Sequence, residues 1–283
     1  MEQRRFIIGS EWIYFKIYSG PKIIEQIFID KIIPVVNSLI KSGFIDSYFF
    51  VRYMDPDYHI RLRLHCLDTK NAWYILEMFN KSLKKYINNL TITKVQIDTY
   101  DRELERYRGN KIVYFEKIFH CDSRMISKCL KRLKCSDSNR HIISIIYIDA
   151  LMEMCGFDIN QKISFVNHNR IAYFQEIYQS DKEAKAMLNL KYRTIKDEIN
   201  DCFNSDKFKW LNMEVSQCMK NIDPVSRKLH PIFENELTSI IHMHINRMFR
   251  TRQRTIELVL YWCLHKYYVS QKAIVKQVMC FED

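Results

Sequence analysis

Between residues 59 and 65 the chain reads His59-Ile60-Arg61-Leu62-Arg63-Leu64-His65, a strict alternation of basic and apolar side chains. Successive side chains of an extended strand point to opposite faces, so Ile60, Leu62 and Leu64 share one surface and His59, Arg61, Arg63 and His65 share the other. Like charges on one face repel each other. Guanidinium groups partly shielded from water bind carboxylate or phosphate strongly, because each can donate two parallel hydrogen bonds. The bland alternative is a solvated face of the kind antiparallel sheets often carry.

Two further clusters carry charge or histidine. The first, Asp98-Thr99-Tyr100-Asp101-Arg102-Glu103-Leu104-Glu105-Arg106-Tyr107, reads on its own as an exposed turn laced by local ion pairs. The second is His242-Met243-His244-Ile245-Asn246-Arg247. A helical zinc pair needs a second histidine four residues from His242, where Thr238 and Asn246 stand instead, so no metal pattern exists. His242 and His244 point in different directions on a helix, and either alone reads as a packed core residue.

The elements that must position these groups follow from periodicity. Glu11 to Tyr18 alternates, with Ile13, Phe15 and Ile17 on one side and Trp12, Tyr14, Lys16 and Tyr18 on the other. Gly20-Pro21 breaks this strand, and apolar residues from Ile23 to Leu39 then recur at helical spacing up to Gly43, with a kink expected at Pro34. Strands over Ser47 to Tyr53 and His59 to Cys66 flank the turn Asp55-Pro56-Asp57 and predict a hairpin. A helix from Asn71 to Ile87 and a strand from Ile92 to Tyr100 complete the order βαββαβ. This predicts a ferredoxin-like antiparallel sheet, with the first and third strands central and both helices on one face. Trp12, Tyr14, Lys16 and Tyr18 then join the basic row if the registers match.

After Gly109 the segments 112–133, 142–155, 172–178, 184–203, 237–248 and 255–268 read as helical. The expected fold class is α+β, a sheet half over 1–108 and a helical half over 109–283 packed on it, together one functional domain. At 283 residues and 47% hydrophobic composition the chain buries a substantial core. Its 44 Lys and Arg against 33 Asp and Glu give a net charge of +11, which calls for an anionic partner without choosing one. Nine scattered cysteines, with no C-x-x-C pair, read as reduced thiols. No signal peptide and no apolar run of roughly 18 residues is present. These features predict a cytoplasmic protein without a membrane partner.

The motifs together resemble a known family. Phe49-Phe50-Val51-Arg52-Tyr53-x-Asp55-Pro56-x-x-His59-Ile60-Arg61-Leu62-Arg63, then Tyr100-x-x-Glu103-x-Glu105-Arg106-Tyr107, Glu116-x-x-Phe119-x-x-Asp122-Ser123 and His242-Met243-x-x-Asn246-Arg247 are similar to the signature series of the lantibiotic dehydratase C-terminal domain, also called the thiopeptide-type bacteriocin biosynthesis domain. One departure is Arg108-Gly109, where that family usually has Gly-Gly. The resemblance implies elimination of glutamate from glutamylated Ser or Thr of a ribosomal precursor peptide, giving dehydroalanine or dehydrobutyrine without a cofactor. It implies Arg61, Arg63, Arg106 and His242 as the elimination residues, and Arg52, His59, Tyr107, Asn246 and Arg247 as substrate-binding residues. Histidine suits removal of the α-proton, and arginines suit the glutamyl carboxylates and the developing oxyanion.

The implied partners are the precursor peptide and a separately encoded glutamylating dehydratase, because the chain is too short to hold the family's glutamylating region; no direct nucleic-acid contact is expected. Two other readings compete. Pyridine synthases of thiopeptide pathways resemble this family in fold and join two dehydroalanines by a formal cycloaddition. An RNA-binding module is the other, since a βαββαβ sheet with aromatics and positive charge describes an RRM. Such a module carries glycine and aromatics on its third strand, where this chain has histidine and arginine.

Overall fold

The structure is a computed structural model that describes residues 3–137 and 139–279. A two-residue strand β1 (Arg5–Phe6) precedes β2 (Trp12–Tyr18), β3 (Ile45–Met54), β4 (Tyr58–Cys66), β5 (Lys94–Ile97) and the short β6 (Tyr100–Asp101). The alternating segments β2 to β5 form one antiparallel sheet in the order β3-β4-β2-β5. Among these four, the first and third strands in sequence lie at the centre, which is the ferredoxin-like arrangement. Register brings the two expected rows onto one face: Tyr14 opposite Arg63, Lys16 opposite Arg61 and Tyr18 opposite His59. From the other side β3 sets Phe49 opposite Arg63 and Tyr53 opposite His59.

The apolar face of the sheet is covered by α1 (Pro21–Ile27), a π-helical turn (Phe28–Ile32), α2 (Ile33–Lys41) and α3 (Ala72–Asn88). Ile24, Phe28, Ile32, Val36, Ile75 and Phe79 are buried, as are Phe15, Ile17, Phe50, Leu62 and Leu64 of the sheet. Ring centroids meet at 4.4 Å for Phe28 and Phe50 and 4.6 Å for Phe15 and Phe79. Near Pro34 the helix widens into the π turn immediately before α2, whose first turn holds Pro34. A proline has no N–H for the bond to the preceding turn, and the wider turn accommodates that loss. The expected strand Ile92 to Tyr100 is also divided. After β5 the Asp98 carboxylate accepts the Thr99 N–H at 2.7 Å, and β6 then pairs with β1 in a separate two-stranded sheet.

The rest is helical: α4 (Ile112–Arg132), α5 (Arg140–Met154), α6 (Ile159–Tyr178), α7 (Lys182–Asn204), α8 (Lys209–Ser226), α9 (Glu234–Met248) and α10 (Gln253–Met279). Helix α8 has no counterpart among the expected segments, although Leu211, Val215, Cys218 and Ile222 are buried at helical spacing. Helix α6 begins well before the expected Ala172, at an Asp158 cap whose carboxylate accepts the Gln161 N–H while the Gln161 side chain accepts the Asp158 N–H.

The chain forms two compact units: Met1–Asp137 with Pro224–His230 and Asn246–Thr251, and Ser138–Asp223 with Pro231–Ile245 and Arg252–Asp283. Residue 108, where element type changes, is not where compactness divides the chain, because α4 packs on β3 and stays with the sheet. In the second unit α10 packs on α6 and α7, with Leu258, Tyr261 and Leu264 buried and the Tyr261 ring edge-on to Phe165 and Tyr173. Eight cysteines among the described residues are free thiols, and Cys280 lies outside them. Among the described residues no helix is long and apolar enough to cross a membrane.

Strand β3 is an edge strand, so alternate backbone groups face away from β4. Side chains satisfy them. His120 Nδ1 lies 3.1 Å from the Tyr48 nitrogen and 3.0 Å from the Tyr48 carbonyl oxygen, and the Phe50 N–H donates to Ser123 Oγ at 3.3 Å. The Phe50 carbonyl accepts Arg247 Nε at 2.8 Å. The Asn246 amide accepts the Arg52 N–H at 2.7 Å and donates to the Arg52 carbonyl at 2.9 Å, as a neighbouring strand would. An unmade buried hydrogen bond costs about 1–3 kcal/mol. Asn246→Ala, which strips both partners from Arg52, is expected to lower stability in urea unfolding by about 2–3 kcal/mol, whereas Asn246→Asp, which keeps the acceptor, loses less.

Candidate functional site

The sheet face opposite α1 and α3 carries the basic row. His59 is fully buried between the rings of Tyr18 at 4.5 Å and Tyr53 at 5.7 Å. Its Nδ1 lies 2.8 Å from the Asp57 carbonyl, and its Nε2 accepts Arg61 Nε at 3.1 Å. A carbonyl only accepts and an arginine Nε–H only donates, so the geometry selects the neutral imidazole with its proton on Nδ1. Burial holds the His59 pKa below the ordinary histidine value, and the Arg61 and Lys16 charges act in the same direction. The Arg61 guanidinium lies 3.4 Å above the Tyr53 ring. Its terminal nitrogens have no carboxylate partner among the described residues.

Arg63 sits in an aromatic enclosure. Its guanidinium carbon is 4.6 Å from the Tyr14 ring, 4.7 Å from Tyr100 and 5.2 Å from Phe49. Its buried Nε has no hydrogen-bond partner among the described residues, and neither has the buried Nε1 of Trp12, whose ring also meets Phe49 and Tyr100. Ring faces attract a cation without offering it an acceptor, which leaves Arg63 able to bind an anion. Further along the row, Lys16 is paired with Asp98, whose pKa the lysine ammonium lowers. His65 contacts Asp46 at 2.9 Å.

The turn after β6 supplies the enclosure's remaining wall. Arg102 donates Nε and Nη2 to Glu116 of α4 at 2.7 and 2.6 Å, and the Tyr100 hydroxyl donates to the same carboxylate at 2.7 Å. Burial and this carboxylate raise the Tyr100 pKa well above its ordinary value, so the hydroxyl stays protonated and Tyr100 is held against Arg63. Arg106 lies on the exposed turn, 3.3 Å from Glu103. Tyr107 is buried against Phe115 and Phe119. Burial pushes its pKa up to about 12, while the charges of Arg106, Arg247 and Arg63 act on it in the opposite direction.

Three residues expected at the substrate have structural partners. Arg52 is buried, donating to Glu25 at 2.6 Å, to the Arg247 carbonyl at 2.9 Å and to the Tyr58 hydroxyl at 3.3 Å. Arg247 is equally buried and donates Nη1 to Asp122 at 2.8 Å over the Phe119 ring. Asn246 completes the β3 edge. Glu116, Phe119 and Ser123 knit α4 onto β6 and β3, and Asp122 ties it to Arg247 at the end of α9, which sequence reasoning did not distinguish from a contribution to the site.

In the second unit His242 is part-exposed, with Nδ1 2.8 Å from Glu257, whose side chain is fully buried. Glu257 also accepts the Tyr173 hydroxyl at 2.7 Å, and Arg254 Nη1 donates to that hydroxyl at 2.6 Å. A buried carboxylate on one ring nitrogen orients the imidazole and leaves Nε2 for proton transfer. Sequence reasoning missed Glu257, whose signal was an acidic residue on the apolar face of α10, four residues before the buried Tyr261. His244 is fully buried, stacked on Tyr147 at 3.9 Å and 6°, with Nε2 3.1 Å from Ser144 Oγ. Among the described residues no group of three or more His, Cys, Asp or Glu could hold a metal ion.

Comparison with known proteins follows the same lines. A family model described as "Lantibiotic biosynthesis dehydratase C-term" matches residues 12–268. The chain is 28% identical over 277 residues to the nisin biosynthesis protein NisB of Lactococcus lactis subsp. lactis, covering 96% of this chain and 27% of NisB. It therefore spans about a quarter of that relative's length. The structure of the tRNA-dependent lantibiotic dehydratase MibB from Microbispora sp. 107891 superposes with a TM-score of 0.70 at 17% identity, over 93% of this chain and 29% of MibB. The pyridine synthase TbtD from thiomuracin biosynthesis gives the same TM-score at 11% identity, over 93% of this chain and 98% of TbtD.

Arg63 and Arg102 are both enclosed arginines, but only Arg102 has a buried carboxylate partner. Removing one member of a buried ion pair costs about 3–5 kcal/mol, because the other charge is left uncompensated. Arg102→Leu is expected to show that loss in chemical denaturation. Arg63→Leu, which strands no carboxylate, should change stability by less than about 1 kcal/mol.

Proposed function

The chain belongs to the family of lantibiotic biosynthesis dehydratase C-terminal domains, and on that footing we propose that it is a lyase acting in ribosomal peptide modification, eliminating glutamate from glutamylated Ser or Thr. The observation that carries this reading is the pair Arg61 and Arg63, held among aromatic rings with no carboxylate partner among the described residues. Both share one face of the sheet with Tyr14, Lys16 and Tyr18. A bound glutamyl group supplies the missing carboxylate.

In the proposed reaction His242 Nε2 removes the α-proton of the esterified residue, with Glu257 stabilising the imidazolium that forms. The Cα–H electron pair becomes the Cα=Cβ bond, the Cβ–O bond breaks, and its electrons leave on the glutamate carboxylate. Arg61, Arg63 and Arg106 bind the glutamyl carboxylate and stabilise the enolate-like oxyanion, since fixed cations in a water-poor site act on charge as it develops. His59 and Tyr107 support the arginines. The substrate in this reading is a precursor peptide that a glutamylating dehydratase has esterified.

TbtD, matched over nearly its whole length, supports a second reading, cycloaddition of two dehydroalanines. RNA recognition by the sheet has less support, because Trp12, Tyr14, Tyr18 and Phe49 are at most 7% exposed and offer bases no stacking surface.

The experiment is to incubate the purified chain with a glutamylated peptide and follow peptide mass and free glutamate. Release of glutamate with formation of the dehydro residue is expected, and an untouched ester refutes the reading. A pyridine ring formed from a peptide already carrying dehydroalanines supports the alternative. Arg61→Ala and Arg106→Ala should each slow release by about 10²–10³-fold. His242→Ala and Glu257→Gln should each slow it by at least about 10²-fold. His244→Ala acts on packing against Tyr147, so its release rate per folded molecule should stay close to that of the parent chain.

A further inference from the structure

We infer that His59 is a positioning residue for Arg61: its neutral imidazole accepts the arginine Nε–H and turns the two terminal nitrogens outward as a clamp for the substrate's carboxylate. The inference rests on the reading of Arg61 as a ligand of the glutamyl group. It is carried by geometry. The Asp57 carbonyl at 2.8 Å requires a proton on Nδ1, and Arg61 Nε at 3.1 Å requires a lone pair on Nε2. The rings of Tyr18 and Tyr53 hold the imidazole between them, and Tyr53 also underlies the guanidinium at 3.4 Å. Arg61 therefore has its Nε bonded and one face stacked, while its terminal nitrogens have no carboxylate partner among the described residues and suit a bidentate one.

This arrangement fails when His59 gains a second proton. Nε2–H would then face Arg61 Nε–H, replacing a hydrogen bond with the approach of two cations. The surroundings resist that event: burial above all disfavours the charged ring, and the Arg61 and Lys16 charges add to it, while the Asp57 carbonyl and the Asp55 carboxylate favour it. The clamp is thus intact at neutral pH and loosens only below the ordinary histidine range.

Three proteins test the inference: the parent chain, His59→Phe and His59→Gln. Phenylalanine keeps the packing between Tyr18 and Tyr53 but has no acceptor, whereas a glutamine oxygen can accept from Arg61 and does not titrate. Nitrogen-15 NMR, which needs no turnover, should show a protected Arg61 Nε–H at pH 7.5 in the parent and His59→Gln, and loss of that protection in His59→Phe. With a glutamylated peptide, His59→Phe should raise KM about tenfold with kcat within about threefold, the size expected for one lost hydrogen bond to a charged group. His59→Gln should stay within about threefold of the parent in both. Carrying the pH below the ordinary histidine range should raise the parent's KM more than that of His59→Gln. An Arg61 Nε–H equally protected in His59→Phe, or a KM unchanged by that substitution, overturns the inference. If the parent releases no glutamate, the elimination reading fails, and the NMR comparison still decides whether His59 holds Arg61.

Discussion

The exposed edge of β3 is the constraint on which the sheet-containing unit depends. An edge strand presents a row of unpaired backbone groups that must find partners or attract another strand. Here the groups of Tyr48, Phe50 and Arg52 are met by His120 and Ser123 of α4 and by Asn246 and Arg247 at the end of α9. Side chains reach this edge only if α4 lies along β3, and the Arg247–Asp122 pair, buried on both sides, ties α9's end to α4. With α4 in place, Phe119 meets Phe49, and Glu116 holds both Arg102 and Tyr100. The wall beside Arg63 therefore follows from the way the edge is closed.

Within this frame the protein treats its arginines in two ways. Arg52, Arg102 and Arg247 are buried and each has a carboxylate, Glu25, Glu116 or Asp122. Burial of an unpaired charge is costly, and these pairs offset the cost while fixing where the helices sit. Arg61 and Arg63 are less deeply buried and are held instead by ring faces and by a neutral histidine. Rings stabilise a cation without neutralising it, so the positive potential of both arginines persists. The difference between the two sets lies in the partners supplied, not in residue type.

That difference explains what could be read in advance. The alternation of Trp12 to Tyr18 and of His59 to His65 fixes which side chains share a face, and antiparallel pairing then brings Tyr14 to Arg63 and Tyr18 to His59. A period of two is a strong signal wherever one face must be buried. The uses of Arg52, Asn246 and Arg247 were not legible, because their partners lie far away in sequence and an arginine beside a motif looks the same whether it meets Glu25 or a substrate. Glu257 was hidden for a similar reason: it lies fifteen residues from His242 on another helix, and only an acid among the buried residues of α10 marked it. The two-residue strands β1 and β6 are too short to show any period.

The central claim is that Arg61 and Arg63 await a carboxylate of the substrate. It is tested most directly by a crystal structure with a peptide in which glutamate is joined through an amide in place of the ester, which binds without eliminating. The account predicts the glutamyl carboxylate against the terminal nitrogens of Arg61, with Arg63 still enclosed by Tyr14, Phe49 and Tyr100. A peptide bound with its carboxylate elsewhere, and both arginines without an acceptor, would contradict it.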